Sequence, residues 1–325
     1  MNVLADLINS MIMFGVPLLL VALGGMFTER GGVVNIALEG IMIIGGLAAC
    51  LFLRSADING WGQVYPQLAM LLAVLVAGAA GILYSLLLAF ASINLKADQI
   101  IGGTALNIFA PAFAIVMSWA IQGQAQTTIF LPKWLRIGRT VTDSDGFIYR
   151  LLFKNFYLTT IVAVVLFIAT IIVLYRTKFG LRLRACGEHP SAADSVGINV
   201  YKMRYAGTAI SGFLAGIGGL AFTVAAGSGF VATVAGYGFL ALAVMIFGNW
   251  KPVNILFAAL FFSLFKVVGS YASSISFLPQ FAGVKNSQYI YQMLPYVVTM
   301  VVLVFTSKKS RAPKSEGIPY DKSQR

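Results

Sequence analysis

Nine apolar runs, most of them near or beyond the roughly 20 residues that cross a bilayer as a helix, leave this chain few folds to choose from. They lie at about Leu4–Phe27, Val33–Leu53, Gln67–Ile93, Ile100–Ile121, Tyr157–Tyr175, Tyr205–Ala226, Tyr237–Gly248, Val253–Ser270 and Ile290–Thr306. Only 10% of the residues are charged and 59% are hydrophobic, whereas a soluble domain carries roughly 25% charged residues. The sequence therefore predicts an all-α polytopic membrane protein with about nine transmembrane helices. The seventh run is the exception. Its twelve residues make a helix of about 18 Å, short of a hydrocarbon core of about 30 Å. With Gly227, Gly229, Gly236 and Gly238 around it, it is expected to be tilted or broken. Thirty-three glycines in all suit membrane helices whose backbones approach closely.

A net charge of +12 would suggest nucleic acid in a soluble protein. Here the distribution of charge speaks for topology instead. With an outside N-terminus and an inside C-terminus, the inner segments hold Arg30, Lys96, six basic residues in 176–204, Lys251 and six in 307–325. The outer segments hold Arg54, Lys133, Arg136, Arg139, Arg150, Lys154 and Lys285. Basic residues favour the cytoplasmic side, so fifteen against seven predicts N-outside and C-inside. Residues 1–306 then form one membrane domain, with an outer loop at 122–156 and an inner loop at 176–204. The basic tail 307–325 is expected to be disordered. Arg30 is the first basic residue, so a cationic leader region is missing and the first helix is expected to be retained. The two cysteines, Cys50 and Cys186, are expected on different sides, and neither a disulfide framework nor a metal site follows from them.

Between the first two runs lies Thr28-Glu-Arg-Gly-Gly-Val-Val-Asn-Ile-Ala-Leu-Glu-Gly40. A carboxylate is disfavoured in hydrocarbon, so Glu39 either lines a path or interface or is satisfied by the positive end of its helix. Asn35 and Glu39 are four apart, which on a helix places them on one face. Asn107 falls about two turns inside the fourth helix, as interhelical glue or as path lining. Gly212 and Gly216 form a GxxxG, a helix-contact pattern that is also common by chance. Lys266 is expected to snorkel to the outer interface.

The inner loop carries the second signal. Pro190 fits the first position of a short helix and Gly197 its C-terminal cap, with Ser191, Ala192, Ala193 and Asp194 between them. That helix would project from a basic inner loop, as a docking element for a soluble motor would. His189 precedes Pro190 and is expected to help start the helix. No G-x-x-x-x-G-K-[ST] occurs, so nucleotide hydrolysis by this chain is not expected. With a single histidine and no H-E-x-x-H or G-x-S-x-G, little suggests acid–base catalysis.

Four stretches together resemble a known family. They are Glu29-Arg-Gly-Gly-Val-Val-Asn-Ile-Ala-Leu-Glu-Gly40, Ile100-Ile-Gly-Gly-Thr-Ala-Leu-Asn107, the loop Gly180 to Ile198, and Gly238-Phe-Leu-Ala-Leu-Ala-Val-Met-Ile-Phe-Gly-Asn-Trp-Lys-Pro252. They resemble the inner-membrane permeases of ABC importers, within the branched-chain amino acid and ribose permease superfamily, and most of all its nucleoside branch. The resemblance covers roughly residues 10–306. It implies a second homologous permease, two cytoplasmic ATPase subunits and an extracytoplasmic binding protein, often a lipoprotein. It further implies that the 190–197 element couples to the ATPase and that ATP is bound by that partner, with no cofactor in this chain. A sugar or branched-chain amino acid substrate is the nearest alternative. A secondary transporter would bury several ionisable residues for ion coupling, and only Glu39 suits that role.

Overall fold

The computed structural model describes residues 2–123, 126–137, 146, 149, 154, 156–271, 291, 293–306 and 311–322. Helix dominates the described residues, and the one β contact among them is an isolated antiparallel bridge between Ile129 and Phe230. In chain order the helices are α1 (Asn2–Arg30), α2 (Leu38–Ile58), α3 (Trp61–Val64), α4 (Pro66–Ala89, ending in a π-turn over Phe90–Asn94), α5 (Gln99–Gln122), α6 (Leu158–Arg176), α7 (Lys178–Glu188), α8 (Pro190–Ser195), α9 (Val200–Ala226), α10 (Tyr237–Phe247), α11 (Pro252–Tyr271) and α12 (Leu294–Thr306).

Seven of these are long and apolar enough to cross a membrane: α1, α2, α4 with its π-turn, α5, α6, α9 and α11. The two remaining predicted crossings are shorter. Helix α10 has eleven residues, about 16 Å of rise. Helix α12 is described over thirteen, and the expected start of that run at Ile290 lies outside the described residues. The outer loop expected over 122–156 is likewise described only in part.

Helix α9 is the centre of the bundle and packs most extensively on α4, α1 and α2. Its glycines make that approach possible. A Cβ on Gly212 would lie 2.5 Å from the Gly81 carbonyl oxygen of α4. On Gly216 it would meet the Ala77 carbonyl, and on Gly219 the Met42 carbonyl of α2. The Gly212/Gly216 pair is thus a true helix contact, of the small-residue kind that substitutes for a hydrophobic driving force in lipid.

The bundle has two distinct ends. At one, Arg30 donates to the Trp250 carbonyl at 3.0 Å, Val34 N–H to Gln99 Oε1 at 2.7 Å and Lys96 pairs with Asp321. This is the basic end, where α7 and α8 also lie. At the opposite end Trp134 donates to Asp57 Oδ1 at 2.7 Å, and Lys154 pairs with Asp6 at 2.6 Å.

Three expectations are corrected here. The second helix starts at Leu38 rather than Val33, because Gly32 takes φ +88° and the residues after it find partners outside a helix. The 176–204 loop, expected to hold one short helix, holds α7 ahead of it as well. Thr177 accepts from Gly180 N–H at 3.2 Å and caps α7, whose glycines 180 and 187 fit against the Leu174 and Arg30 carbonyls. The tail is not disordered over 311–322. It folds back on the basic end, with Tyr320 6% exposed, because Pro313 and Tyr320 interrupt its charge with groups that are buried.

Candidate functional site

Two breaks in helical structure meet inside the bundle, and Glu39 joins them. The first break runs from Gly31 to Ala37. Gly31 N–H and Val33 N–H both bond the Thr28 carbonyl, at 3.0 and 3.2 Å, so α1 ends in a tight left-handed cap that only glycine takes without strain. The segment that follows has no helical ladder of its own, and buried backbone groups must still be paired. Side chains of α5 supply the partners. Asn107 donates to the Ile36 carbonyl at 2.7 Å and accepts from Gly40 N–H at 2.8 Å, while Gln99 takes Val34 N–H.

The second break, Gly227 to Gly236, leads from the end of α9 down to the start of α10. It is tethered at its top by the Ile129–Phe230 bridge. Gly227, Gly229 and Gly236 all have positive φ. Helix α10 therefore begins within the bundle, and its first amides have no intrahelical partner. Glu39 meets them: its two carboxylate oxygens accept from Gly236 N–H at 2.8 Å and Gly238 N–H at 2.7 Å. Gly238 is compelled, since a Cβ there would collide with the backbone of Glu39. A carboxylate at the positive end of a helix dipole is well placed, so the carboxylate is satisfied here by a helix 199 positions away in sequence rather than by its own.

Asn35 is not helical, so the one-face argument for Asn35 and Glu39 does not describe their geometry. Asn35 is fully buried and donates to Ser211 Oγ at 2.9 Å, while its Oδ1 has no partner. The structure thus brings Asn35, Glu39 and Asn107 to the same seam, around residues 36–40.

Other polar groups surround that seam. Tyr296 of α12 donates to the Ala235 carbonyl at 2.7 Å, beside the Glu39 tie. Tyr237 is buried against Phe222, ring centroids 4.6 Å apart. Lys266 does not simply reach for the interface: its Nζ lies 5.9 Å from the Tyr237 ring centroid, within cation–π range. The visible signal for this cluster was the glycine density before Tyr237. Nothing in the local sequence pointed to Tyr296.

At the basic end the short helix forms as the residues suggest. Pro190 takes the first position of α8. Gly197, at φ +82°, donates to the Asp194 carbonyl at 2.9 Å, and Ile198 to the Ala193 carbonyl at 3.0 Å. Ser191 and Ala192 face outward, and Val196 is 74% exposed. Ala193 instead packs inward with Cys186, Val200 and Tyr320. At the same end, Glu29 accepts from Trp250 Nε1 at 2.6 Å and contacts the Glu316 carboxyl, which burial pushes above the usual carboxylate range. Both cysteines are free and buried, and among the described residues no group of His, Cys, Asp and Glu is arranged to hold a metal.

Comparison with known proteins adds a family to this geometry. Residues 7–304 match the family described as branched-chain amino acid transport system / permease component. The chain is 38% identical over 328 residues to the guanosine ABC transporter permease protein NupQ of Bacillus subtilis, covering all of this chain and 99% of that one. It is 39% identical over 330 residues to the nucleoside ABC transporter permease protein NupC of Lactococcus lactis, covering 99% of each. A second permease from the same organism, the nucleoside ABC transporter permease protein NupB, is 23% identical over 314 residues, covering 93% of this chain and 83% of its own. No solved structure matches the chain.

Proposed function

The chain belongs to the permease-component family of branched-chain amino acid transport systems and is a multi-pass protein of the cell membrane, and from that premise we propose that it is one permease subunit of an ABC importer for nucleosides. The single observation that carries the substrate class is end-to-end similarity, at 38% and 39% identity, to two permeases named for guanosine and for nucleosides. In this proposal the basic end is cytoplasmic, the N-terminus is outside, and α8 is the coupling helix. A separate cytoplasmic ATPase binds and hydrolyses ATP, and Ser191, Ala192 and Val196 present the surface it would seat. Pro190, Asp194 and Gly197 fix the shape of α8, and Ala193 anchors it from beneath. A second, diverged permease completes the path, as the pair NupB and NupC in one organism suggests. An extracytoplasmic binding protein delivers the substrate to the opposite end.

The translocation path is proposed to follow the seam where the two breaks meet. Asn35, Glu39 and Asn107 hold that seam in shape, and Tyr296 and Lys266 add polar character beside it. Such a path gives a nucleoside a few polar contacts among apolar walls, and weak contacts let a ligand leave. The test is uptake into vesicles holding this chain with its second permease and ATPase, supplied with binding protein outside and ATP within. Uptake of radiolabelled guanosine and uridine, competed by unlabelled nucleosides, is the expected result. Robust ribose or leucine uptake without nucleoside uptake would overturn the substrate class.

A further inference from the structure

The tail between Arg311 and Lys322 touches most of the elements that meet at the basic end. Ser315 N–H donates to the Gly187 carbonyl at 2.9 Å, and Ser315 Oγ to the Glu188 carbonyl at 3.2 Å, at the end of α7. Arg204 at the root of α9, only 2% exposed, spends one guanidinium N–H on the Ile318 carbonyl at 3.0 Å. Arg311 N–H reaches Asn249 Oδ1 in the α10–α11 turn at 3.0 Å. Asp321 pairs with Lys96 in the α4–α5 turn.

Further contacts of the tail bear directly on the elements assigned to coupling and to the path. Tyr320 is buried in one apolar cluster with Ala193 of α8, Cys186 of α7 and Val200 of α9, and its ring lies 5.6 Å from that of Tyr201. A few residues earlier, the tail lies against the first helix break. A Cβ at Gly32 would come within 3.2 Å of the Ser315 carbonyl and 2.9 Å of Arg204, and one at Gly317 within 3.4 Å of Val34. The Glu316 carboxyl meets Glu29. One short segment thus bridges α8 to the 31–37 break, from which Asn35 and Glu39 depend.

We propose that residues 311–322 are a second coupling element, a strap that passes displacement of α8 to the break between α1 and α2. Coupling between sites travels through contiguous packed groups, and the route through Tyr320, Ile318 and Ser315 runs alongside the direct contact of α7 with the break, where Gly187 lies against Arg30 and Gly32. The inference rests on the importer reading, with α8 as its ATPase contact.

The experiment uses the whole transporter in vesicles and reads nucleoside transported per ATP hydrolysed. Four forms are compared: wild type, a truncation after residue 310, Tyr320→Ala and Tyr320→Phe. The Tyr320 hydroxyl has no partner, so Tyr320→Phe keeps the packing and is expected to behave as wild type. The truncation and Tyr320→Ala are expected to assemble and hydrolyse ATP while transport per ATP falls about tenfold or more, a usual size for intersite coupling. An unchanged ratio in the truncation overturns the strap. If the truncation does not assemble, Tyr320→Ala decides: transport and ATPase activity falling together would make the tail a structural element only. A wild type without ATP-driven uptake would instead overturn the importer reading itself.

Discussion

Glu39 makes two charge-assisted hydrogen bonds to backbone amides that lack any other partner, and Asn107 closes two backbone groups of the adjoining break. Bonds to a charged group contribute about 1.5–3 kcal/mol, and a buried group left unpaired costs about 1–3 kcal/mol. Glu39→Gln keeps one acceptor oxygen and loses the charge, so its cost is expected to be about 1–3 kcal/mol. Asn107→Ala leaves Gly40 N–H and the Ile36 carbonyl both unpaired and is expected to cost at least as much. Thermal melts of the two purified variants in detergent check the order. A melt of Asn107→Ala indistinguishable from wild type would mean that the break finds other partners. The sequence showed that both residues were unusual where they stood. It did not show their partners, because those lie 67 to 199 positions away and no local pattern encodes such a pairing.

At the scale of elements, helix lengths were legible because hydrocarbon thickness sets them, and the capping of α8 because proline and glycine act locally. The start of α2 was not legible, since Val33, Val34, Ile36 and Ala37 are as apolar as the helix that follows while the partners of their backbone are set by α5. The amphipathic α7 was hidden in a basic loop for a similar reason: its buried face of Gly180, Leu183, Cys186 and Gly187 is narrow and mostly small. The facing of α8 yields a prediction with two arms. Ala192 is exposed, so Ala192→Trp is expected to leave the melt within about 0.5 kcal/mol of wild type, as surface substitutions do, while lowering ATP-driven uptake. Ala193 is 4% exposed, and Ala193→Trp overpacks its cluster at a cost of about 1–3 kcal/mol. Equal uptake by wild type and Ala192→Trp would remove α8 from the ATPase contact.

For the whole molecule, the alternation of ends along the chain turns orientation into one question with one answer. Ile58 is 72% exposed at the end opposite the tail, and Val196 is 74% exposed at the basic end. Because Cys50 and Cys186 are buried, single cysteines at 58 and 196 can be read against little background. A membrane-impermeant maleimide added outside intact cells is expected to label position 58, and to label position 196 only after permeabilisation. The reverse pattern would invert the proposed orientation and detach α8 from any cytoplasmic motor.

The tie between Glu39 and α10 also joins parts of the chain that are made far apart in time. An eleven-residue helix is too short to be held across the bilayer by its own apolar length, and its leading amides face hydrocarbon unless a partner meets them. That partner is synthesised almost two hundred residues earlier. In N-to-C order α2 therefore exists before α10 does, and the carboxylate that meets those amides in the finished bundle precedes them.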